Sequence, residues 1–176
     1  MKQNLKYLFT NFLLVLTLCT FLTSCPPPVI NSKTATVAIF FTVDTDIKTT
    51  TPDFSTKLTV SKESEITAFD ILSALKEKES HLYFNILNTQ YGPFIAGIAY
   101  DIDKNGIAPQ WGEDPDNPIF IDPNDKYFYG YNSGNYWAVY YGTNIENAQF
   151  AEVGIGELII DNDGFLVLCA EKYIAP

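Results

Sequence analysis

The run Asp101-Ile-Asp-Lys-Asn-Gly106 offers side-chain oxygens at every second position and a glycine at the sixth. Oxygen donors at the first, third and fifth places of a loop that turns sharply at glycine suit a hard divalent cation such as calcium. Asp101, Asp103 and Asn105 are therefore candidate calcium ligands. The second half of the run departs from that pattern, with Pro109 at the ninth place, Gly112 at the twelfth and Glu113 one place later. Asp114 and Asp116 could serve instead. A plain solvated acidic insertion is the competing reading, and both stay open.

A second concentration of chemistry lies in YFYGYNSGNYWAVYY, Tyr127 to Tyr141, with eight aromatic side chains in fifteen residues. In Tyr136-Trp-Ala-Val-Tyr-Tyr141 the period of two puts Tyr136, Ala138 and Tyr140 on one face of a strand. Trp137, Val139 and Tyr141 fall on the other. Trp137 is assigned to the core. The second face would then be an aromatic ladder open to a ligand or partner, with Tyr129, Tyr131, Asn132 and Asn135 adding polar tips. Cross-strand aromatic pairs that serve only the sheet are the alternative.

Catalytic arrangements are scarce. His81 is the only histidine, and no G-x-S-x-G or Cys-His pattern surrounds it. It is expected to be exposed just after a helix. Cys169 lies in the apolar run Phe165-Leu-Val-Leu-Cys-Ala-Glu171 and is expected to be a small buried hydrophobe. The spacing of the carboxylates recommends no general acid–base pair. A binding protein without enzymatic activity is expected.

Charge narrows the partners. The formal net charge is −10 and none of the 11 basic residues is arginine. A chain of this sign with no guanidinium fork repels nucleic acid and has no bidentate clamp for phosphate. A neutral, amide-rimmed flat ligand suits the aromatic face better than an anion does.

The elements that must position these groups can be read from periodicity. Thr34 to Val43 alternates as a half-buried strand, and a second strand follows near Lys57 to Val60. Thr67-Ala-Phe-Asp70 is a loose capping box opening an amphipathic helix over Thr67 to Glu79, with Ala68, Ile71, Leu72 and Leu75 at helical spacing. Then come strand-like runs at Tyr83–Tyr91, Phe94–Ile102, Tyr127–Tyr131, Tyr136–Tyr141, Phe150–Ile160 and Phe165–Tyr173. Residues 101–126 form a long connection carrying seven acids. The order predicts an α+β domain, a mostly antiparallel sheet with one packed amphipathic helix.

The N-terminus reads as an address. Lys2 and Lys6 precede an apolar run from Phe12 to Leu22, too short to span a bilayer, which ends in Leu22-Thr-Ser-Cys25. This resembles the lipobox of bacterial lipoproteins. The resemblance implies a signal peptide over 1–24, lipidation at Cys25, a proline-rich tether over 25–33 and a domain over 34–176. The protein is then expected in the bacterial cell envelope, anchored to a membrane by lipid. An ordinary secretory signal is the other reading.

Across the domain, Thr67-Ala-Phe-Asp-Ile-Leu-Ser-Ala-Leu75, Tyr91-Gly-Pro-Phe-Ile-Ala-Gly-Ile98, Tyr136-Trp137, Val153-Gly-Ile-Gly-Glu157 and Asn162-Asp-Gly164 occur in an order that resembles the C-terminal domain of the transcobalamin and intrinsic-factor family. The resemblance spans roughly Thr34 to Tyr173. It implies a β-grasp-like fold covering one face of a corrinoid such as cobalamin, with Tyr91, Gly92, Pro93 and Phe94 joining Tyr131, Asn135, Tyr136, Trp137 and Tyr140 as ligand contacts. The separate helical domain that completes the site in vertebrate members has no counterpart in this sequence. The acidic connection is also longer than in the family pattern. The competing expectation is a protein-interaction module of the envelope, docking a transporter or similar partner through the aromatic face and acidic loop, with calcium as a stabiliser.

Overall fold

The computed structural model describes residues 28–112, 120–130 and 134–173. Cys25 and the leader, Tyr131 and the centre of the acidic connection lie outside the described residues.

Among the described residues two sheets and one helix make the α+β architecture. Strands β1 (Asn31–Phe40) and β2 (Phe54–Lys62) form an antiparallel hairpin. Helix α1 (Ala68–Lys78) follows, then the three-stranded antiparallel sheet β3 (Leu82–Thr89), β4 (Gly92–Tyr100) and β5 (Lys126–Tyr129). The chain returns to the first sheet through β6 (Asn135–Gly142), β7 (Gln149–Phe150) and β8 (Gly164–Lys172). The five strands lie in the order β2-β1-β8-β6-β7, with β8 parallel to β1 at the centre. A hairpin, a crossing helix and a central strand parallel to the first are the β-grasp arrangement, into which β3, β4 and β5 are inserted.

The helix begins where its sequence directs. The Thr67 hydroxyl accepts from the Asp70 amide at 3.4 Å while the Asp70 carboxylate accepts from the Thr67 amide at 2.9 Å. These bonds satisfy N–H groups that the first turn leaves without helical partners. Lys62 bridges to Asp70 at 2.8 Å and ties the end of β2 to the same cap. Ala68, Ile71, Leu72 and Leu75 are buried against the inner face of the large sheet, among Val37, Ile39, Leu166, Leu168 and Trp137.

Several boundaries differ from the periodicity. Strand β1 starts at Asn31, inside the expected tether, because Asn31, Ser32 and Lys33 pair with Lys62, Ser61 and Val60. It also stops at Phe40, short of Val43. The largest difference is Phe150–Ile160, expected as a strand. Only Phe150 belongs to β7, and the remainder turns back to cap the helix. The amides of Ala68 and Phe69 donate to the carbonyls of Leu158 (2.8 Å) and Ile155 (2.9 Å), and the Ile160 amide donates to Ile66 (2.9 Å). Backbone groups spent on a helix N-terminus cannot also build a ladder.

Both faces of the large sheet are covered. The inner face meets the helix and the small sheet. The outer face carries Ala38, Phe40, Val167 and Cys169, closed over by Ile47 and Ala148 with Tyr140, Ile145 and Phe165 packed around them. Cys169 is a buried free thiol, and burial pushes its pKa up to about 11. No helix among the described residues is long and apolar enough to cross a membrane.

Candidate functional site

The cleft begins at the β3–β4 turn. Gly92 holds a φ of +102°, a conformation that side chains disfavour. The Thr89 hydroxyl closes the turn, donating to the Gly92 carbonyl at 2.8 Å and accepting from the Tyr91 amide at 3.1 Å. Tyr91 is thereby held outward, 86% exposed. Pro93 and Phe94 follow in β4 and line the cleft.

Opposite them lies β6. Trp137 is 4% exposed and packs edge-on against Phe41 and Phe128, with ring centroids 5.6 and 5.3 Å away. Its indole N–H donates to the Phe128 carbonyl at 3.2 Å, which satisfies the one polar atom of the ring. This bond joins the large sheet to β5 of the small one. The register gives β6 its faces as alternation predicts: Trp137, Val139 and Tyr141 pack into the main core and Tyr140 into the outer cluster.

Two adjoining depressions of about 160 and 450 Å³ open here, the first between β4 and β6 and the second beside the β3–β4 turn. Pro93, Phe94 and Gly154 line both; Tyr136, Trp137 and Phe150 line the first, Tyr91 and Gly92 the second. Among the described residues no charged side chain lines either, in a protein of net charge −10. The far wall, Phe150 to Ile155, belongs to the segment that turns back to the helix. Its residues were not among the expected contacts. The Val153-Gly-Ile-Gly156 motif marked the place, but an assumed strand hid its role as a wall.

Tyr140 lies elsewhere. It packs in the outer cluster, edge-on to Phe150 at 5.8 Å, and does not line the cleft. Its hydroxyl and that of Tyr136 donate to the two oxygens of one carboxylate, Glu171; the Tyr136 bond is 2.9 Å. The expected open ladder is thus a half-buried, hydrogen-bonded pair. Glu171 stands directly across from Tyr136 in the β6–β8 register, so its carboxylate can collect both phenols. Burial first and the hydrogen bond to Glu171 second, with the Glu171 charge behind it, push the Tyr136 phenol up to about 12, and the same causes raise Tyr140 further. Asn135 opens β6 opposite Lys172 and is part-buried.

The candidate cation ligands sit at the other end of the small sheet. Asp101 is fully buried. Its carboxylate accepts from His81 Nδ1 at 3.0 Å and from the Gly106 and Asn105 amides at 2.8 and 3.1 Å. Burial acts to raise its pKa, but these bonds outweigh burial and hold it at about 2. His81 is therefore paired, contrary to the expected free surface histidine, because the β3–β4 register brings the chain before Leu82 beside the end of β4. Asn105 does not present its oxygen to the cluster: that atom accepts from the Ile107 amide at 2.8 Å, and its amide group donates to Asp122. The residue that joins Asp101 and Asp103 instead is Asp125, from the far end of the connection. Burial first, then Asp101, Asp122 and Asp103, push its pKa up to about 6.

No protein-family model and no curated protein matches the chain. Among solved structures, a crystal structure of haptocorrin in complex with Cbi is similar over 86% of this chain, with a TM-score of 0.47 and 11% sequence identity. The chain spans 28% of the length of that one.

Proposed function

We propose that this protein is a binding module, without catalytic activity, that uses the cleft between β4 and β6 to cover one face of a small flat ligand, a corrinoid such as cobalamin. One observation carries the reading. Pro93 and Phe94 share one depression with Tyr136 and Trp137, far apart in sequence, and it adjoins a second lined by Tyr91 and Gly92; among the described residues no charged side chain lines either. Apolar and aromatic walls with a few polar tips suit a neutral, weakly solvated ring system. The exposed Tyr91 and Phe150 rings stand at its rim, where a ligand would desolvate them. A corrinoid is larger than either depression, so the cleft would cover a face of it and leave the rest to solvent or a second protein. The choice of a corrinoid rests on the sequence motifs at Tyr91–Ile98 and Tyr136–Trp137. Lipid attachment at Cys25 would hold this cleft at a membrane of the bacterial envelope.

The test is calorimetric titration of the full chain, in a non-ionic detergent, with cyanocobalamin. Saturable binding that changes little with salt is expected, since few charges take part. Phe94→Ala should weaken it by about tenfold or more. Absence of binding would sink the corrinoid assignment.

A second reading draws on the exposed apolar rim. Tyr91, Phe150 and Val153 are each about half exposed or more, and a patch of this kind also suits an envelope protein partner. Such a partner would read the acidic connection as well, so its binding should weaken steeply with salt.

A further inference from the structure

The acidic end of the small sheet holds a feature that the cleft does not use. Tyr100 and Lys126 are the last registered pair of β4 and β5. Asp101 and Asp125 are the next residues beyond those strand ends, so two carboxylates stand where a further cross-strand pair would form. Like charges directly opposite each other destabilise an antiparallel pair. Asp103 adds a third: one oxygen from each of Asp101, Asp103 and Asp125 lies within 4.8 Å of the others.

Asp125 is the informative member. Both of its carboxylate oxygens are shut off from solvent and neither has a hydrogen-bond partner. Buried carboxylate oxygens are normally satisfied, and leaving two without partners is costly. Asp101 and Asp103 are by contrast braced by the Asn105 and Gly106 amides. Among the described residues no lysine pairs with any of the three, and the neighbouring Lys126 is committed to Asp53. His81 is spent on Asp101. The unsatisfied oxygens therefore face two other carboxylates, and no cation among the described residues offsets them.

We propose that Asp101, Asp103 and Asp125 bind a calcium ion that clips together the two ends of the 101–125 connection. The donors are oxygen only, which suits a hard cation and not zinc or copper. Three carboxylates leave room for the water ligands that complete calcium's six to eight places. Asn105 and Asp122 brace the loop around the ion, through the bond between their side chains at 3.0 Å. The ligand set thus joins the first half of the D-x-D-x-N-G run to a residue more than twenty positions later.

The experiment is titration of the chelator-stripped full chain with calcium chloride, in a non-ionic detergent, followed by calorimetry and by thermal unfolding. One ion should bind per chain and the melting temperature should rise by several degrees. Asp125→Asn should weaken calcium by about tenfold or more. In chelator the same variant should melt no lower than the native chain, since it removes a charge from an uncompensated cluster. Asp103→Asn, at an exposed position, should lose calcium in the same way should the first variant fail to fold. Superimposed melting curves in calcium and chelator, or undiminished calcium binding by either variant, would overturn the proposal. An equal response to magnesium at the same concentration would overturn the choice of calcium.

Discussion

Gly156 lies against Pro93 so closely that a β-carbon on the glycine would come within 2.9 Å of the proline Cδ. This contact sets the distance between the β3–β4 turn and the wall that leads into the helix cap. Gly156→Val should push the wall off the turn and distort the cleft. Overpacking of this kind costs about 1–3 kcal/mol. The expected result is a modest fall in melting temperature with a larger loss of ligand binding. Unchanged binding of cyanocobalamin by a variant of the protein that otherwise binds it would show that the wall plays no part.

Trp137 and Tyr91 should fail in opposite ways. Trp137 is enclosed by Phe41 and Phe128, so Trp137→Ala should leave a cavity and cost about 3–5 kcal/mol of stability. Tyr91 touches little, and Tyr91→Ala should shift stability by less than about 0.5 kcal/mol. Any effect of Tyr91 should then appear in binding alone. Denaturant unfolding of the two variants separates these outcomes, and comparable losses of stability would contradict the burial of one and exposure of the other.

The shared carboxylate of Tyr136 and Tyr140 makes a prediction in alkali. Both phenols have folded-state pKa values raised above the ordinary tyrosine value. A raised phenol pKa means the native state keeps its proton where the unfolded chain has lost it. The stability this contributes is present in full below about pH 10 and falls as pH rises toward the folded value of about 12 for Tyr136. Unfolding followed by tyrosinate absorbance should therefore show stability dropping through this window. In a Tyr136→Phe, Tyr140→Phe double variant the drop should be shallower, and an identical slope would show that these two phenols do not carry it.

Anchoring is tested at Cys25. Cys25→Ala should abolish incorporation of labelled fatty acid and leave the precursor uncleaved or released from the membrane. Normal labelling in that variant would remove the lipoprotein reading.

The sequence by itself determined the features whose physics is local. The capping box at Thr67 and Asp70 joins residues three apart, and the helix starts there. Period-two alternation along β6 assigned Trp137 to the core face and Tyr140 to the opposite one, because successive side chains of a strand must point to opposite sides. The burial of Cys169 followed from the unbroken apolar run around it. Whether an outward face meets solvent is a different matter: the segments carrying Ile47 and Ala148 cover Tyr140, and nothing within β6 announces them. The strand expected over Phe150–Ile160 failed for the same reason, since its backbone is claimed by a helix start some ninety positions earlier. Asp125 was missed as a partner of Asp101 because only the β4–β5 register sets the two side by side. Backbone pairing between distant segments depends on which partners reach each polar group first in the folded chain, and periodicity within one segment carries no record of it.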